Sequence, residues 1–303
     1  AAFGLPFESG LLIGAVLAST APAILIPLFE RLRVRPKVVQ TVIAESAFND
    51  VTGAVLSLAV AAYVLEGEGS LVTGPLWEFV KDLGISTGIG VGLGLALAVA
   101  LSTRRIGLLR ETPVIAALTI VAAGFFSIDL VGGSGYLGAF LAGLIVANSD
   151  RLGLPRPRAR AFELESFAGI ASDIVVVFVF VTLGANLPFD SFPDYAAPAL
   201  ATLAALIFVA RPLTVLTSLV SDRRGRWTRQ EIAFVSWTRE TGVVPAAVAS
   251  LLVAQGIQVS DELATTVALA IVVTLLLQST TKPWLARRLG LVDGAREDPS
   301  GPV

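Results

Sequence analysis

Apolar segments recur along the chain with short polar connectors between them. They fall at roughly 9–29, 38–65, 83–102, 112–128, 133–149, 167–186, 196–220, 231–255 and 262–281. Most approach the ~20 residues that a helix needs to cross the hydrocarbon of a bilayer. Backbone groups at that depth find no water, so helices are the form in which such segments span. The pattern predicts an all-α polytopic membrane protein with about nine transmembrane helices.

The connectors alternate in charge, which supports the span assignment. Arg31, Arg33, Arg35 and Lys37 follow the first segment, and acidic Glu66, Glu68, Glu78 and Asp82 surround the second connector. The alternation continues to Lys282, Arg287, Arg288 and Arg296. All of the 22 basic residues except Lys81, Arg211 and Arg239 fall on one side. Basic connectors mark the cytoplasmic face. The chain is therefore expected to begin outside, cross nine times and end inside. Residues 291–303 form a polar cytoplasmic tail expected to be disordered.

Composition agrees. The chain is 54% hydrophobic and 15% charged, against roughly 25% charged in soluble domains, and its mean hydropathy is +0.79. The net charge of −2 suggests no nucleic-acid partner. Cysteine and histidine are both absent, which removes thiol chemistry, the commonest metal ligand and the usual proton shuttle. Proton chemistry then falls to carboxylates. Motifs for phosphate binding, zinc hydrolysis or a serine nucleophile with its base do not occur, so an enzyme is not expected. Methionine is absent and residue 1 is Ala, from which a missing N-terminal part is expected.

The stretch Thr41–Gly53, TVIAESAFNDVTG, places Glu45, Ser46, Asn49 and Asp50 inside an apolar segment. Ionisable groups at bilayer depth are costly and mark ion pathways by default. Ser46 and Asp50 share a helix face at i, i+4, and Glu45 and Asn49 share the adjoining face. The first pair suits a partly dehydrated hard cation. A carboxylate that holds either a proton or a cation is the minimum part for coupled exchange. The alternative is that both acids belong to a structural charge network.

Two segments are interrupted. LASTAPAILIP holds Pro22 and Pro27, just after Ser19 and Thr20, and FVSWTRETGVVPAAVAS holds Arg239, Glu240, Thr241, Gly242 and Pro245. Proline removes a helix hydrogen bond, and a helix break at membrane depth is tolerated where it lines a cavity or meets a partner. Two broken helices, one near each end, point to a transporter with inverted repeats and a site at the midplane. Arg239 keeps its charge and requires an acid. Glu45 is the expected partner, with Glu240 the local alternative. Gly84, Gly88 and Gly92, with Gly90 and Gly94 beside them, predict close helix packing.

ESAFND at 45–50, STAPA at 19–23, LGAFLAGL at 137–144 and WTRETGVVPAA at 237–247 together resemble the monovalent cation:proton antiporters of the NhaP/NHE type, the sodium/hydrogen exchangers. The resemblance covers essentially the whole chain and matches the nine spans to the last nine of the family. It implies an inverted-repeat antiporter fold, with an ion-transport domain in 1–65 and 191–290 and a linker helix plus dimerisation-type helices in 66–190. It implies that Asp50 alternates between proton and cation and that Ser46 and Thr20 give oxygens to Na+, Li+ or K+. Asn49, Glu45, Arg239, Glu240 and Pro22 would support the site, with Glu45 and Arg239 in an ion pair. One exchangeable carboxylate gives electroneutral exchange as the simple charge balance, and the resemblance further implies no cofactor, a setting in membrane lipid and a homodimer when full length. Where the family often has Asp between Thr and Pro of the first break, this chain has Ala21, and Glu240 is a candidate replacement for that charge. Two other readings are a sodium-coupled transporter of related broken-helix fold and a non-transporting membrane sensor or scaffold.

Overall fold

The computed structural model describes all residues except 1–3, 5, 21–28, 30–31, 67–72, 104–107, 188, 191, 223, 258–259 and 293–303. Pro22, Ala21 and Pro27 lie outside the described residues. The described residues form helices in this order: α1 Phe7–Val16, α2 Pro36–Glu66, α3 Thr73–Leu101, α4 Pro113–Leu130, α5 Gly135–Ala147 and α6 Arg158–Ala185. Then come α7 Phe192–Ser221, α8 Arg229–Trp237, α9 Val243–Ala254 and α10 Asp261–Arg288. Among the described residues, six helices are long and apolar enough to cross a membrane: α4, α6, α7 and α10, and the parts of α2 and α3 at Pro36–Val64 and Phe79–Leu101. Shorter apolar helices are α1, α5 and α9. The eighth apolar segment is two helices, α8 and α9, with Thr238–Gly242 non-helical between them.

The chain divides into two compact units, Ala1–Gly53 with Thr182–Val303, and Ala54–Val181. In the first, Val38 and Val42 of α2 bury against Val215 of α7, Phe234 and Val235 of α8, and Ala286 of α10. Val38, Val42 and Ser46 follow at four-residue spacing and are all buried. One face of α2 thus runs from apolar core directly into the polar residues of ESAFND. Thr228 caps α8, its hydroxyl accepting from the Glu231 amide while the Glu231 carboxylate accepts from the Thr228 amide. The loop before it is set by Asp222, whose carboxyl is held below its ordinary value by the Trp227 indole N–H and the Gly225 amide. Both α7 and α10 contain a π-helical turn, Leu206–Ala210 and Thr274–Ser279.

In the second unit, α3 and α5 approach closely. A Cβ added at Gly90 would lie 2.7 Å from the Gly138 Cα, and one at Gly94 would lie 2.8 Å from the Ala142 Cα. Gly84, Gly88 and Gly92, in the same run, have open space instead. The approaching atoms are backbone, so no side chain can swing aside. Gly90→Val is expected to cost about 2 kcal/mol, in the overpacking range, read as a lowered melting temperature of the purified protein. Gly88→Ala is the control and should melt as wild type; equal effects of the two would refute the packing assignment.

Candidate functional site

The site lies within the first unit. The chain leaves helix geometry after α1, and Ser19 and Thr20, 1% and 3% exposed, lie against α2. Gly53 permits this approach, since a Cβ there would lie 3.1 Å from the Ser19 Cβ and 3.2 Å from its backbone nitrogen. The Ser19 hydroxyl donates to Asp50 Oδ1, and the Thr20 backbone amide also bonds this carboxylate. The Thr20 hydroxyl donates to the Ser46 hydroxyl at 3.1 Å. Asp50, Ser46 and Thr20 are therefore brought together, and Ser19, to which sequence reasoning gave no role, joins them. Its signal was its place beside Thr20 at the break.

Glu45 and Asn49 form the adjoining face, with Asn49 Nδ2 donating to Glu45 Oε1 at 3.3 Å. The arginine on Glu45 is Arg211 and not the Arg239 expected from the sequence. Arg211 Nη1 donates to Glu45 Oε1 and Nη2 donates to Oε2 at 2.9 Å. Arg211 Nη2 also reaches the carbonyls of Val235 and Thr238 at 3.2 and 3.0 Å. The physical reason is placement. Arg211 follows directly on the π-helical turn of α7 and is buried beside the end of α8, whereas the Arg239 guanidinium donates through Nη2 to the Leu17 carbonyl at the end of α1. Carbonyls at a helix C-terminus carry partial negative charge, so the hydrogen bond of Arg239 goes to a helix end, and Glu45 acts on it only at longer range.

Glu240, the other expected partner of Arg239, pairs with Lys282, and both are fully buried. The charge pattern had placed Lys282 among flanking basic residues, a reading its burial corrects. Glu240, the candidate replacement for the charge absent at Ala21, is therefore paired with the Lys282 ammonium.

A cavity of about 550 Å³ opens beside these residues, with Thr20, Glu45, Asn49, Arg211, Thr214 and Arg239 in its walls. Thr20, whose backbone amide bonds Asp50, is thus part of the cavity wall. The grouping offers one carboxylate and three hydroxyls. Hard oxygen donors of this kind suit a small alkali cation, and the carboxylate also takes a proton.

The family model of the transmembrane sodium/hydrogen exchanger matches residues 1–288. The Na(+)/H(+) antiporter ApNhaP of Aphanothece halophytica is 30% identical over 297 residues, covering 95% of this chain and 55% of that protein. The K(+)/H(+) antiporter NhaP2 of a Shewanella species is 29% identical over 292 residues, covering 94% of this chain and 48% of that protein. The chain thus spans about half the length of these curated relatives. The solved structure of the sodium proton antiporter MjNhaP1 from Methanocaldococcus jannaschii superposes with a TM-score of 0.78 at 26% identity, covering 95% of this chain and 73% of that one. With its long apolar helices, the chain is an all-helical integral membrane protein.

Proposed function

We propose that this chain, which belongs to the sodium/hydrogen exchanger family, exchanges Na+, Li+ or K+ for H+ at Asp50. The observation that carries this reading is the oxygen cluster itself. Ser19 meets Asp50 and Thr20 meets Ser46, and both Asp50 and Ser46 lie in a helix of membrane-crossing length. An intramembrane carboxylate with such neighbours is an ion-pathway group by default. Cation and proton compete for it, so each departs as the other arrives, and alternating access turns that competition into antiport. Asn49 and Glu45 act as framework, because Arg211 already holds the Glu45 carboxylate. Arg239, Glu240 and Pro22 support the crossing.

In this reading α8, Thr238–Gly242 and α9 make one broken crossing, and α1 opens the other, in a nine-span inverted-repeat arrangement with the basic connectors cytoplasmic. Residues 1–65 and 191–290 carry the ion site, and 66–190 carry linker and dimerisation-type helices. The full-length protein works as a homodimer in a prokaryotic plasma membrane, without a cofactor.

The test is exchange by full-length protein in liposomes with an imposed pH gradient, adding Na+, Li+ and K+ in turn. At least one ion is expected to collapse the gradient, at a rate indifferent to membrane potential because one proton is exchanged for one cation. A gradient that survives all three ions would overturn the exchange, and a rate that follows the potential would overturn its electroneutrality.

A further inference from the structure

α10 carries Thr274, Gln278 and Lys282 at four-residue spacing, all fully buried. The non-helical Thr238–Gly242 is tied to this part of α10 at successive points. The Thr241 amide donates to Thr274 Oγ1 at 3.0 Å, and the Ser279 hydroxyl donates to Glu240 Oε1 at 3.1 Å. Lys282 pairs with the same Glu240 oxygen. One residue before the break, Trp237 Nε1 donates to Thr281 Oγ1 at 2.8 Å. The π-helical turn Thr274–Ser279 lies in this stretch, and such turns are frequent at functional sites.

A fully buried lysine is expensive unless paired, and replacing a buried pair with apolar residues is often no loss of stability. Stability alone therefore gives no reason for Lys282. Its effect on its neighbours does. Glu240 is next in the chain to Arg239, whose guanidinium holds the Leu17 carbonyl. Leu17 is two residues before Ser19, which holds Asp50. Without Lys282 the Glu240 carboxylate would be an uncompensated buried charge one residue from Arg239, and a guanidinium that turned to it would leave Leu17.

We infer that Lys282 is a positioning residue of the ion site: by neutralising Glu240 it leaves Arg239 on the Leu17 carbonyl and so keeps Ser19 and Thr20 against α2. The inference rests on the reading of Asp50 as the exchange group. It adds a residue from α10 that touches none of Asp50, Ser46 or Thr20.

The test compares full-length wild type, Lys282→Gln and Glu240→Gln/Lys282→Gln in proteoliposomes, with Na+ and K+ as probes. Lys282→Gln is expected to raise the cation KM by about 3–10-fold, the worth of one misplaced hydrogen-bonding contact, with a much smaller change in maximum rate. The double variant removes the bare carboxylate and should recover most of the lost affinity. If Lys282→Gln yields no folded protein, Ser279→Ala, which loosens Glu240 without removing a charge, decides in its place through a smaller rise in KM. A wild-type KM in the deciding variant, or an equal defect in the single and double variants, overturns the inference. Exchange that survives Asp50→Asn would remove the site itself. A dead Asp50→Asn beside an unmoved KM in Lys282→Gln removes only the role of Lys282.

Discussion

Asp50→Asn in the full-length protein is expected to reduce proton-coupled cation flux to the background of empty liposomes while leaving the fold intact. The substitution keeps the size of the side chain, and the carbonyl of the introduced amide can still accept from the Ser19 hydroxyl that now meets Oδ1. What disappears is the titratable group. An amide neither takes up a proton nor balances the charge of a cation held among Ser19, Ser46 and Thr20. The loss should therefore be complete and independent of pH, with an unchanged melting temperature. Ser46→Ala is the graded companion. It removes one hydroxyl, the acceptor for Thr20 Oγ1, and is expected to weaken apparent cation affinity by about 2–10-fold. Undiminished flux in Asp50→Asn would sink the assignment.

Much of the site was legible because helix period and membrane cost act together. The four-residue spacing puts Ser46 and Asp50 on one face, and the price of burying charge singles that face out. Legibility ends where a contact depends on which of two similar groups lies nearer. Ser19 and Thr20 are adjacent hydroxyls at one break, and only the path of the chain past Gly53 decides that Ser19 takes Asp50. Arg211 and Arg239 both sit in apolar segments. Charge alone does not rank them, and the π-helical turn before Arg211 leaves no mark in the sequence. The glycines of α3 teach the same lesson, since spacing picks out Gly84, Gly88 and Gly92 while the neighbouring helix chooses Gly90 and Gly94. Lys282 was hidden by the arginines that follow it, which made it read as a flank. Its spacing from Thr274 and Gln278 was the available sign of a buried polar face.

Arg211→Gln is expected to be the most destabilising single change around the site, by about 2–4 kcal/mol. Breaking a buried pair by removing one partner costs about 3–5 kcal/mol, and the lower figure applies because the Glu45 side chain is 29% exposed. The variant leaves Glu45 without its guanidinium and takes a donor from the carbonyls of Val235 and Thr238, next to the break. Arg239→Gln leaves the Glu45–Arg211 pair in place and loses the Leu17 contact. It should melt closer to wild type while exchanging ions poorly. The charge swap Glu45→Arg/Arg211→Glu should recover part of the stability, and only part, because a carboxylate at 211 offers no donor to the two carbonyls. Thermal melting of the purified variants checks the order. If Arg211→Gln melted as wild type, or if Arg239→Gln were the less stable of the two, the Glu45 carboxylate would have to be held by Arg239 in the working protein.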